Sequence, residues 1–148
     1  MTASLDTVFQ HLSETLGIDD LIPEEDGRYR MQFDQQLDVS IRIDGRSTVI
    51  LESALGPVPD DEMRAEHLLK QVLGRSLLHF RRCRDVVCYE PESEQIVLQR
   101  SFNLDDISIS GFHEQLEEFL NTLEPWRNLI KESDSPSIAS MPLQFVTP

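Results

Sequence analysis

The stretch Asp60–Cys83, DDEMRAEHLLKQVLGRSLLHFRRC, reads as one long helix in the middle of the chain. Pro57 and Pro59 break the segment before it, and Asp60 supplies an N-cap oxygen. Asp60, Asp61 and Glu62 place negative charge at the positive end of the helix dipole, while Arg81, Arg82 and Arg84 crowd the negative end. Between them run Met63, Ala65, Leu68, Leu69, Val72, Leu73, Leu77, Leu78 and Phe80. At about 100° per residue these side chains cover well over half of the helix circumference. A helix lying on one side of a single sheet needs an apolar arc of only about 100°. The surplus points to a helix covered from two sides, by its own domain and by a second copy. Gly74 sits in mid-helix at a cost of about 1 kcal/mol relative to Ala, which a close backbone approach would explain.

Working outward, Thr48–Leu55 precedes this helix as a strand that is apolar on both faces, so it belongs inside a sheet. Before it, Leu37, Val39, Ile41 and Ile43 alternate with polar residues, as do Tyr29, Met31 and Phe33. Asp44-Gly45 predicts a two-residue hairpin between the second and third strands. At the N-terminal end, Ser4 caps a helix bearing Leu5, Val8, Phe9, Leu12 and Leu16, which Gly17 closes. The acidic segment Asp19–Gly27 lacks the ordered spacing of a calcium loop and reads as a solvated loop. On the other side, Val86–Tyr89 and Gln95–Phe102 form two strands around the polar turn Glu90–Glu94. Ser110 caps a last helix with Phe112, Leu116, Phe119, Leu120, Leu123, Trp126, Leu129 and Ile130 at helical spacing, kinked or restarted at Pro125. The predicted fold is α+β, a single domain of order α-β-β-β-α-β-β-α, with helices packed on an antiparallel twisted sheet and a dimer through the central helix. The domain spans residues 1–132. Residues 133–148, rich in serine and proline, are expected to be a disordered tail.

A chain of 148 residues can bury a core without metal or disulfides. With 13 basic and 27 acidic side chains its net charge is -14, which disfavours nucleic-acid backbones and anionic membranes. No basic-then-apolar leader opens the sequence, and no run approaches the roughly 18 apolar residues of a membrane span. Cys83 and Cys88 are expected to be reduced thiols of a cytoplasmic protein.

The search for chemistry finds little. The six glycines stand singly, without a phosphate-binding pattern. His11, His67, His79 and His113 have no mate at three- or four-residue spacing, so no metal or cofactor is expected. No Gly-x-Ser-x-Gly elbow or cysteine-nucleophile motif marks a catalytic residue. A small acidic domain with more apolar helical surface than its own fold needs suits a protein that holds other chains.

The element order, the acidic balance, the opening Leu5-x-x-Val8-Phe9-x-x-Leu12-x-x-x-Leu16-Gly17-Ile18 and the closing Phe112-x-x-x-Leu116-x-x-Phe119-Leu120-x-x-Leu123-x-x-Trp126 together resemble the class I type III secretion chaperones, the CesT-like family. The resemblance covers residues 4 to 131. It implies a cytoplasmic bacterial homodimer without enzymatic activity that binds the extended N-terminal segment of secreted effectors and keeps it soluble for export. It also allows a role in sequestering another secretion-system protein. By position, it places the dimer interface on Leu69, Val72, Leu73, Leu77 and Phe80, with Val86 nearby. Effector contacts fall on Val8, Phe9, Tyr29, Met31, Phe33 and Ile41. Two other classes fit the bare residues. An acidic immunity or inhibitor protein would bind a folded basic partner in a salt-sensitive way, and a small enzyme would hold a titratable group in a pocket.

Overall fold

The computed structural model describes residues 5–16, 23–34, 37–81 and 84–134. Helix α1 (Leu5–Leu16) is followed by strands β1 (Tyr29–Phe33), β2 (Leu37–Asp44) and β3 (Thr48–Pro57). Helix α2 (Glu62–Phe80) leads to β4 (Val86–Glu90) and β5 (Gln95–Asn103), and a 3-10 turn at Leu104–Asp106 precedes α3 (Ile109–Asp134). This is the predicted α+β order. The caps at Ser4 and Gly17, the residues Asp19 and Asp20, Arg82, Cys83 and the segment from Ser135 lie outside the described residues.

The five strands form one antiparallel sheet in the order β1-β2-β3-β5-β4. β3 is central, as its apolar composition requires. Period-two alternation assigns Met31, Val39, Ile41, Val49, Leu51, Ile96, Leu98 and Phe102 to one face, and all are buried. α3 covers that face with Phe112, Leu116, Phe119, Leu123, Trp126 and Ile130, joined by Val8 and Phe9 of α1. The other face carries Arg30, Gln32, Ser40, Arg42, Gln99 and Ser101, and remains largely open. One face buried and one wet is the antiparallel arrangement the alternation predicts.

Several local expectations shift by a residue or two. The α2 N-cap is Asp61, not Asp60: its Oδ1 accepts from Met63 N at 2.9 Å and Arg64 N at 3.2 Å. α2 stops at Phe80, with Arg81 as its C-cap, short of Cys83. Ser108, not Ser110, caps α3, its Oγ accepting from Gly111 N at 3.1 Å. α3 runs through Pro125 without restarting. The Asp44-Gly45 turn has three residues, because Asp44 still pairs with Thr48 and Gly45 takes φ +69. At the β3 bulge Gly56 adopts φ +155, and a Cβ there would meet Ile130 Cγ2 at 2.7 Å. Only glycine lets the end of α3 lie this close to β3.

Candidate interaction surfaces

α2 has two apolar sides. Leu68 and Val72 enter the core against α3 and the sheet. Leu69, Leu73, Leu77 and Phe80 are spaced by four, four and three residues, so they share a second stripe about 100° away. That stripe meets solvent: Leu73 is 69% exposed, and Leu77 and Phe80 nearly as much. Val86, at the start of edge strand β4, is half-exposed. Val72 is a correction to the predicted interface, because at 4% exposure it is spent on the chain's own core. The close approach expected at Gly74 is not made among the described residues: a Cβ there would meet none of them within 4 Å.

The predicted effector-contact set divides differently. Val8, Phe9, Met31 and Ile41 are corrections, each buried in the core. Phe9 packs on Tyr29 with ring centroids 4.2 Å apart. Only Tyr29 and Phe33 keep partial exposure, next to half-buried Leu37, which was not among the expected effector contacts. The physical reason is that periodicity identifies an apolar face but does not say whether solvent or another element meets it.

A buried ionic cluster also escaped the sequence reading. Asp85 has no exposed side-chain surface, and the Arg100 side chain is 3% exposed. The Arg100 guanidinium donates through Nε and, at 3.0 Å, through Nη2 to the two Asp85 oxygens. Its Nη1 donates to Glu118 at 2.9 Å and to the Gln115 side chain at 3.2 Å. His79 Nε2 lies 3.2 Å from Asp85 Oδ2, tying the last turn of α2 into the cluster. Burial opposes the charge on Arg100, but hydrogen bonds and charges from Asp85 and Glu118 outweigh it and raise its pKa above the ordinary value. A signal was available: in Ile96, Leu98, Arg100, Phe102 the alternation sends a charge into the core, which demands a buried partner.

On the open face of the sheet, a groove of about 530 Å³ is floored by Glu52, Ala54 and Val97. The Glu52 carboxylate accepts from Gln99 at 2.8 Å and from Arg28 at 3.4 Å, so it is already satisfied. Burial first, and then the charges of Glu52 and Glu90, push the Cys88 thiol up, which keeps it protonated and a poor nucleophile. Among the described residues no three His, Cys, Asp or Glu converge as a metal site, and no helix is long and apolar enough to cross a membrane.

The sequence matches the Tir chaperone protein (CesT) family over residues 7–127. No curated protein sequence gives a significant match. Among solved structures, a chain of the ExsC–ExsE complex aligns with a TM-score of 0.69 at 17% identity, covering 87% of this chain and 95% of that one. A chain of the HopA1–SchA chaperone–effector complex gives 0.67 at 17% identity, covering 83% and 92%. The Yersinia pestis type III secretion chaperone SycH, in complex with a stable fragment of YscM2, gives 0.59 at 13% identity, covering 81% and 97%. At these identities the structural likeness speaks for the fold.

Proposed function

The chain belongs to the Tir chaperone protein (CesT) family, and from that membership we propose that it is a type III secretion chaperone acting as a cytoplasmic homodimer. It binds the extended N-terminal segment of one or more secreted effectors, keeps that segment soluble and export-competent, and catalyses no reaction. The observation that carries the reading is the exposed stripe Leu69, Leu73, Leu77 and Phe80, an apolar face that an isolated chain would leave in water. A second copy suits it. Antiparallel pairing of two α2 helices about an axis near Leu73 would bring the acidic first turn of one copy, with Asp61 and Glu62, toward the Arg81 end of its partner, with the helix dipoles opposed.

Client binding needs neither ATP nor metal in this scheme. An extended segment adds to an exposed strand edge through main-chain hydrogen bonds, and apolar side chains offset the entropy of ordering it. β1 is such an edge, and half-buried Tyr29 and Phe33 are its first and last residues. The test is deletion in the native bacterium with comparison of secreted proteins. One or a few should disappear from the medium and return on complementation. An unchanged set of secreted proteins would overturn the proposal.

A further inference from the structure

Arg75 lies on the flank of α2 that faces α3, about 160° around the helix from Leu73. With His79 one turn on, it lines a cleft of about 280 Å³ whose other wall is Asn121, Thr122, Pro125 and Trp126. Trp126 is buried and supplies an apolar floor, with the His79 ring edge-on to it at 5.6 Å. His79 is held by Asp85. Glu118, one turn before Thr122, is held by Arg100. Arg75 is exposed and has no ion-pair or hydrogen-bond partner among the described residues. Among the described residues no carboxylate lines the cleft, although the chain has 27 Asp and Glu. A cationic side chain without a partner among the described residues thus shares a cleft with an indole, in a protein whose net charge is -14.

We propose that this cleft receives an acidic side chain of the client segment, its carboxylate paired with Arg75 and a neighbouring apolar side chain resting on Trp126 and Pro125. The inference rests on the chaperone reading, and it specifies an anchor that reading does not contain. The volume is below that of ordinary small-molecule pockets and suits a pair of side chains. Guanidinium–carboxylate pairing is planar and two-pronged, so the site selects acidic residues from a passing chain. The cleft also lies on the side of α2 away from the Leu73 stripe, so the proposed pairing through that stripe does not require it to close.

The test is an NMR titration of the full-length protein with acetyl-Leu-Glu-Leu-amide, following the indole N–H of Trp126, the only tryptophan. The peptide acetyl-Leu-Lys-Leu-amide is the control. The glutamate peptide should shift the indole signal saturably and the lysine peptide should not. Arg75→Gln, an exposed substitution, should weaken the glutamate peptide about tenfold, and added salt should weaken it further. Equal shifts from both peptides, no shift, or undiminished binding by the Arg75→Gln protein would overturn the cleft assignment. The chaperone reading is tested separately. A client retained with full affinity by the Arg75→Gln protein would remove the anchor and leave the chaperone standing.

Discussion

Replacing Leu73 by Asp separates the two apolar sides of α2. Leu73 is 69% exposed in a single chain, so most of its side chain is available for the proposed second copy to cover. Full burial of a leucine contributes about 1.5–3 kcal/mol. A two-fold axis near this residue counts the loss in both copies, giving about 3 kcal/mol from apolar contact alone. A carboxylate left unpaired in the interface adds to that. The dimer constant should therefore weaken at least a hundredfold, since about 1.4 kcal/mol is a factor of ten. The fold of the single chain should be almost untouched, because exposed substitutions shift stability by roughly 0.5 kcal/mol or less. Sedimentation equilibrium with parallel circular dichroism reads both quantities. The expected result is a folded monomer at concentrations where the unmodified protein is a dimer. Val72→Asp, one residue earlier but in the core, should instead lower the melting temperature sharply. A Leu73→Asp protein that stays dimeric at unchanged affinity would refute the assignment of the stripe.

Three further outcomes follow from the packing. Arg100→Met leaves Asp85 charged and buried without its main partner, and should cost about 3–5 kcal/mol in denaturant unfolding. Stability within 1 kcal/mol of the original would show that Asp85 finds another partner. Gly56→Ala brings a Cβ to 2.7 Å from Ile130 Cγ2 at a strained φ, and should lose about 1–3 kcal/mol by the same assay. Shortening Ile130 to Ala in the same chain should relieve the clash and leave the backbone term; no difference between the two backgrounds would sink the close-approach argument. For Cys88, studied with Cys83 replaced by Ser, the raised thiol pKa means that the reactive thiolate forms at higher pH than in an unfolded chain. Iodoacetamide labelling of the folded protein should lag the urea-unfolded protein across the ordinary thiol range and catch up only as pH rises beyond it. Equal pH profiles would contradict the burial of that thiol.

Element type and order were legible because each segment has a clear apolar period: two in the strands, 3.6 in the helices. The boundaries moved where neighbouring residues offer the same chemistry. Asp60 and Asp61 both present a capping carboxylate, as Ser108 and Ser110 both present a hydroxyl, and only the path of the chain chooses between them. The candidate surface was legible in part. Leu69, Leu73, Leu77 and Phe80 stood out because α2 has more apolar residues than one contact can absorb. Val72, Val8, Phe9, Met31 and Ile41 were placed on outer surfaces because apolar side chains look alike whether they meet a partner or the core. The Asp85–Arg100 pair and the Arg75–Trp126 cleft join residues far apart in sequence. Their proximity arises from strand order and helix docking, which no local pattern encodes.

The chaperone account is tested most directly by recovering the tagged protein from its native cells in high salt, treating the eluate with protease and weighing what survives. The account predicts an N-terminal fragment of a secreted protein, protected by two copies of this chain and retained as salt rises. A folded basic partner released by salt, or a chain that emerges alone, would contradict it.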